Sequence, residues 1–210
     1  LYTVHKVDNV KYLGFFLDER LSWVMHLSHV KSQVSKGLGM LKAVCHFLPK
    51  SCLLSIYNAY VLPYLMYCVE IWGNAHTTFI EPLRVIQKSC IRVICKKPPV
   101  THCAPLAKDL GVLLFDDLYY LSVIVFMHKI YYNSLVLTNV YVKLSSVHVK
   151  STRGSVFNFY SYPLSTTVRK NCLSHAGIVI WNALNDTKKS IVVINVIKRL
   201  IKKEILDSYV

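Results

Sequence analysis

Between Lys11 and Trp23 the chain changes its hydrophobic period, and that change limits the available folds more than any other feature. Tyr12, Leu13, Phe15, Phe16 and Leu17 form a strand-like run. Gly14 sits within it, where a glycine weakens packing and marks a bulge or the close approach of something large. Asp18-Glu19-Arg20 is a turn signal, and beyond it apolar residues recur every three or four positions. The stretch therefore joins a small β element to a long helical region.

That region predicts a helix from about Trp23 to His46, with Leu27, Val30, Val34, Leu38, Leu41 and Cys45 as one buried face. Gly37 and Gly39 each cost such a helix about 1 kcal/mol, so a bend or a close approach is expected there. At about 100° per residue, Lys31 and Lys42 fall on one side, either gripping a phosphate backbone or solvated, and Lys36 points away. Ser51 to Trp72 reads as a central helix covered on all sides and bent or split at Pro63.

A further helix is expected from Glu81 to Lys96, with Pro82 at its first position and Leu83, Ile86, Cys90 and Val93 facing inward. On another face Arg84, Lys88, Arg92 and Lys96 form a row of like charges four residues apart with no interleaved acid. Such pairs each destabilise an isolated helix by about 0.2–0.5 kcal/mol, and a polyanion would reverse the sign. After Pro98-Pro99 an apolar helix is expected through Leu118, Leu121, Val125, His128 and Tyr132, capped by Asp116 or Asp117. Val140, Val142 and Leu144 suggest a strand and Ser151-Thr152-Arg153-Gly154 a loop, where Arg153 binds phosphate or ties the loop down. Trp181 is expected to anchor packing in the region 171–184. The chain ends in a basic amphipathic helix, with Ile194, Ile197, Ile201 and Ile205 inside and Lys198, Arg199, Lys202 and Lys203 outside. The residues thus describe a mainly α protein with a small N-terminal β-hairpin and a partly β, irregular stretch in the C-terminal third.

A length of 210 residues allows one large domain or two small ones. A hydrophobic fraction of 53% beside 17% charged residues argues against disorder and for surfaces that meet a partner. The net charge of +14 favours a polyanion, nucleic acid ahead of an acidic membrane. The seven cysteines include no C-x-x-C pair and read as buried, reduced thiols of an intracellular protein, in nucleus or cytoplasm and not secreted. Cys90, Cys95, His102 and Cys103 have no familiar zinc-site spacing. Ser51 to Val69 is 19 residues without a charge, 15 of them apolar, yet Asn58, Pro63 and four dispersed tyrosines favour a buried helix pair over a membrane span.

No assembled chemistry is visible. The chain lacks phosphate-loop, dinucleotide-binding and nucleophile-elbow motifs, and its 11 acids are scattered. Phe115-Asp116-Asp117 has Leu114 two places before Asp116, where a two-metal polymerase motif would carry an aromatic, and an N-cap explains the pair. His26 and His29 read as helix-face residues, not a catalytic pair.

The order Tyr12-Leu13-Gly14, Leu17-Asp18, Leu21-Ser22-Trp23, His26, then Leu48-Pro49, Pro63-Tyr64-Leu65, Tyr67-Cys68, Ile71-Trp72-Gly73, Gln87-Lys88 with Arg92, Thr152-Arg153 and Trp181-Asn182 with Leu184 resembles the carboxy-terminal part of reverse transcriptases of non-LTR (LINE-type) retrotransposons, the jockey-like group. The resemblance implies a fragment of a polymerase right hand: end of palm with the primer-grip hairpin over 1–23, a helical thumb over 24–135, and a family-specific tail over 136–210. Tyr12, Leu13 and Gly14 would be the primer grip. Lys31, Lys42, Arg84, Lys88, Arg92, Lys96 and Arg153 would contact phosphates without reading sequence. The implied partners are an RNA-DNA or DNA template-primer duplex and the upstream fingers-palm segment of the same polyprotein, with no membrane and no small-molecule substrate. The catalytic carboxylates, and with them Mg2+, are expected in the missing palm upstream, so this chain alone is expected to be inactive as a polymerase and to hold no cofactor. Asn185 departs from the family, which tends to place proline there. Two alternatives stay open: an inert or decayed helical scaffold without nucleic-acid activity, and a membrane-associated helical protein using Ser51 to Val69.

Overall fold

The computed structural model of the chain describes residues 7–132, 134–135, 141, 157–161 and 172–209. Strands β1 (Asn9–Tyr12) and β2 (Phe15–Asp18) pair antiparallel, Tyr12 opposite Phe15 and Asn9 opposite Asp18. Leu13 and Gly14 are the two turn residues, with φ 45° and 88°. Positive φ at both central positions is what a type I′ hairpin turn requires. Gly14 therefore does not interrupt a strand, as its place in the apolar run suggests; it makes the turn between two.

Helix α1 (Val24–Val44) follows, and its buried side is His26, Leu27, Val30, Val34, Gly37 and Leu41. The two glycines differ. A Cβ on Gly37 would stand 2.6 Å from Val61 Cγ2 and 3.1 Å from the Tyr60 carbonyl, whereas one on Gly39 would meet nothing within 4 Å. Gly37 lets the end of the next helix lie directly against α1.

The single helix expected over Ser51 to Trp72 splits into α2 (Lys50–Tyr60), α3 (Leu62–Met66) and α4 (Val69–Trp72). Pro63 lies in the first turn of α3, where its missing N–H has no intrahelical partner to lose. Cys68, with φ 47°, separates α3 from α4. Burial is one-sided and not all round: Leu53, Tyr57, Val61, Leu65, Val69 and Trp72 are buried, while Tyr60, Tyr64, Tyr67 and Ile71 are exposed. No single helix among the described residues is long and apolar enough to cross a membrane.

Helix α5 (Thr77–Ile94) starts four residues before the expected Glu81, capped by His76 Nδ1, which accepts from the Thr78 N–H at 3.4 Å. The extra turn buries Ile80, and that gain holds it in the helix although Pro82 then sits inside instead of at the first position. The inner face is correspondingly Ile80, Leu83, Gln87, Cys90, Ile91 and Ile94; Ile86 and Val93 are only half-buried. Helix α6 (Cys103–Leu110) ends at Gly111, φ 63°, the left-handed position that glycine fills most easily.

The described residues divide into two compact units, one drawn from Leu1–Tyr67 and Ala75–Leu110, the other from Cys68–Asn74 and Gly111–Val210. In the second unit α7 (Phe115–Tyr131) packs against α4, α8 (Leu173–Asn182) and α10 (Ile194–Ser208), with a short α9 (Asp186–Lys189) between the last two. Trp72 lies on Phe115 at 5.8 Å. Trp181, fully buried, donates Nε1–H to the Phe157 carbonyl at 2.8 Å, and the Asn182 amide both accepts from the Phe159 N–H and donates to its carbonyl. Asn185 caps α9 by accepting from the Thr187 N–H at 3.4 Å; its φ of −68° is one that proline also adopts. The expected strand through Val140, Val142 and Leu144, and the loop with Thr152 and Arg153, lie outside the described residues apart from Tyr141. Of the cysteines only Cys90 and Cys103 are buried; Cys45, Cys68 and Cys95 are intermediate and Cys52 and Cys172 exposed, all of them free thiols.

Two substitutions on α1 separate close packing from helix propensity. Gly37→Ala is expected to destabilise by about 1–3 kcal/mol through overpacking against Val61 and the Tyr60 carbonyl. Gly39→Ala is expected to stabilise by about 0.5–1 kcal/mol. Chemical denaturation of the two variants measures both.

Candidate nucleic-acid interface

A two-stranded hairpin is marginal by itself, so its tip must be held from outside. Phe15, the buried residue of β2, sits among three aromatic rings: His26 at 5.1 Å, Tyr67 at 5.2 Å and Trp23 at 6.4 Å. Tyr67 also donates its hydroxyl to the Leu13 carbonyl at 2.5 Å, and a Cβ on Gly14 would lie 3.3 Å from its ring. The large group expected against Gly14 is therefore the side chain of Tyr67. Tyr12 and Leu13 point outward, 61% and 71% exposed.

At the far end of β2, Asp18 organises the entry to α1. Its carboxylate accepts from the Ser22 N–H at 2.8 Å, the Trp23 N–H at 3.0 Å, the Arg20 N–H at 3.1 Å and the Ser22 hydroxyl at 2.9 Å. Burial pushes the Asp18 carboxyl up, but the bonds from Ser22, Arg20 and Trp23 outweigh it and hold it below its ordinary value. Leu21 and Trp23 take positive φ, 50° and 65°, to bring these donors round. His26, 2% exposed, is drawn down to about 4 by burial and, less, by the neighbouring His29. It is a neutral ring of the cluster at pH 7.

Beside the tip lies a cavity of about 330 Å³, lined by Lys11, Gly14, His29, Pro63, Tyr64 and Tyr67 among others. Of these only Gly14 was marked as a site by the sequence. The tyrosines belong to a run whose composition suggests core, and packing decides which side of it stays exposed.

The cations of α5 do not form an open ridge. Arg84 pairs with Glu81 at 2.9 Å, an acid outside the expected row but one turn away. Arg92 donates Nε–H to the Thr101 carbonyl at 2.8 Å, and Cys103 approaches the Lys88 carbonyl at 3.5 Å, so the start of α6 lies along this face. Lys96 is beyond the helix end, exposed, with φ 52°. On α1, Lys31 and Lys42 are exposed. The charge of Lys42 reaches the Cys90 thiol, on the inner face of α5, whose pKa burial raises to about 12. Lys88 and Arg92 lie about 160° round that helix from Cys90, so Lys42 and the α5 row are not one patch. Gln87, in the same segment, is buried and donates to the Tyr57 hydroxyl at 3.0 Å. Arg153 is outside the described residues.

The adjacent aspartates do not fit a Mg2+ centre. They stand in the first turn of α7, whose cap position is Leu114 and not an aspartate. Asp117 accepts from the Tyr209 hydroxyl, and its carboxyl is raised by burial despite that bond, with Asp116 adding to the rise. Among the described residues no group of three or more His, Cys, Asp or Glu side chains could hold a metal ion.

Two curated proteins are similar to this chain: the RNA-directed DNA polymerase from mobile element jockey of Drosophila melanogaster, 26% identical over 111 residues, and its counterpart of Drosophila funebris, 28% identical over 111 residues. Each match covers 51% of this chain and 12% of the relative, so the chain spans only a small part of those polymerases. No family model matches the chain. No solved structure matches it.

The hairpin anchor makes two measurable demands. Tyr67→Phe keeps the ring and removes the bond to Leu13, so amide exchange at residues 13–15 is expected to quicken while global stability falls by no more than about 0.5–1.5 kcal/mol. His26 prefers its neutral form when folded, so its contribution is complete above about pH 6.5 and is lost as pH falls from there toward 4. Melting temperature should decline across that window, and decline less in His26→Leu. Asp18 acts lower, its contribution fading only below about pH 4.

Proposed function

We propose that this chain is a carboxy-terminal part of a non-LTR retrotransposon reverse transcriptase, in which the hairpin tip is the primer grip and the helices that follow are the thumb holding a template-primer duplex. The observation that carries this reading is spatial. Residues that bear the resemblance but are scattered over 55 positions serve one structure, the hairpin: Tyr12-Leu13-Gly14 and Tyr67 at its tip, Trp23 and His26 around Phe15, and Asp18 with Ser22 at its junction with α1. Similarity to the jockey polymerases over half the chain supports it, as does the charge of +14.

On this reading the duplex is gripped through its phosphates by the exposed lysines Lys31, Lys42 and Lys96, and the half-buried Lys88 stands on another face of α5. Arg84 and Arg92 serve folding first, given their bonds to Glu81 and Thr101. The fingers-palm segment of the same polyprotein would supply the carboxylates and Mg2+ of the polymerase reaction.

Binding of a labelled RNA-DNA duplex at several salt concentrations tests the proposal. Log affinity should fall linearly with log salt, about one unit per phosphate contact released. Replacing Lys31, Lys42 and Lys96 by alanine should each reduce the slope by about one. An unchanged slope in the triple variant, or no binding at low salt, would favour the inert scaffold.

A further inference from the structure

The cavity beside the hairpin tip has the attributes of a ligand site that neither the resemblance nor the charge pattern assigns. At about 330 Å³ it falls at the small end of ligand-binding cavities, about 300–1,000 Å³. It holds one nucleotide-sized group and excludes a duplex. Apart from Val30, its apolar walls are flat: the Gly14 backbone without a Cβ, the Pro63 ring, and the rings of Tyr64 and Tyr67, which are 39% and 48% exposed. Tyr67 is fixed in advance, its hydroxyl on Leu13 and its ring on Phe15.

The polar part of the lining is one-signed. Lys11 holds its ammonium 5.6 Å from the centroid of the Phe16 ring, His29 packs against the same ring at 5.2 Å, and among the described residues no carboxylate lines the cavity. The buried His26, neutral at pH 7, adds no charge. Flat aromatic surfaces beside a positioned cation and an imidazole recognise a planar ring that carries an anion.

We propose that this cavity receives a single unpaired nucleotide, its base stacked on Tyr64 and Tyr67 and its phosphate on Lys11 and His29. Base stacking on aromatic side chains is tolerant of sequence, as a copying enzyme requires. The nucleotide is either the unpaired end of a bound strand or a free mononucleotide; the first source rests on the duplex-holding function proposed above, the second does not.

The full chain is titrated by fluorescence anisotropy with a blunt RNA-DNA duplex and with the same duplex bearing one unpaired 3′ nucleotide, and separately with dAMP by tyrosine fluorescence. The unpaired end should tighten binding by about fivefold or more. Tyr64→Ala should abolish that preference and leave blunt-duplex affinity unchanged, Tyr64→Phe should retain it, and Lys11→Gln should weaken it. Competition by dAMP against the preference would identify a site open to free nucleotides; failure of dAMP to compete would restrict it to strand ends. Equal binding of the two duplexes, or a preference that survives Tyr64→Ala, overturns the proposal. If neither duplex binds, the duplex-holding function fails, and the cavity proposal then stands on dAMP binding that Tyr64→Ala removes, or falls without it.

Discussion

The hairpin tip of the first unit depends on Tyr67. One side chain closes the hairpin from 54 residues away, through a hydroxyl on the Leu13 carbonyl, an aromatic face on Phe15 and contact with the bare backbone of Gly14. The turn it secures is strained, because Leu13 takes a positive φ that costs a side-chain-bearing residue about 1–2 kcal/mol. A two-stranded ribbon cannot carry that cost alone. The hairpin exists in this geometry because Phe15, Trp23, His26 and Tyr67 pack as a unit and Asp18 gathers the donors at the start of α1.

This changes what the motif residues mean. Asp18, Ser22, Trp23, His26, Gln87, Trp181 and Asn182 all have a partner inside their own unit that explains them. They hold surfaces in place and are not themselves those surfaces. The residues left facing outward at the tip, Tyr12, Leu13, Tyr64 and Lys11, are the ones able to touch a partner.

Charge follows the same division. A net charge of +14 describes the long-range field and not the contacts. Arg84 and Lys188 are paired with Glu81 and Glu204, and Lys189 is buried on Asn158, the Asn182 carbonyl and Asp186. The cations that remain exposed on α1 and after α5 are few enough to be tested one by one. In the second unit the adjacent aspartates are likewise accounted for locally, by the first turn of α7 and by Tyr209 at the end of α10.

The sequence by itself determined the elements whose signals are local. The change of period around residues 18–23 marks where strand gives way to helix, spacings of three and four give α1, α7 and α10 their buried sides, and Pro63 breaks the uncharged run. Tertiary structure decided which side of each element finds a neighbour. Local periodicity placed Tyr64 and Tyr67 in an apolar run, but only packing turned them outward. It spaced Arg84 and Arg92 as a row, but only Glu81 and Thr101 engaged them. It marked Gly14 and Gly37 as places of close approach, but the groups that approach come from 53 and about 24 residues further along. Hydrophobic period is a property of neighbours in the chain, whereas burial, pairing and cavities arise between segments brought together by the fold, and no window of sequence contains both partners.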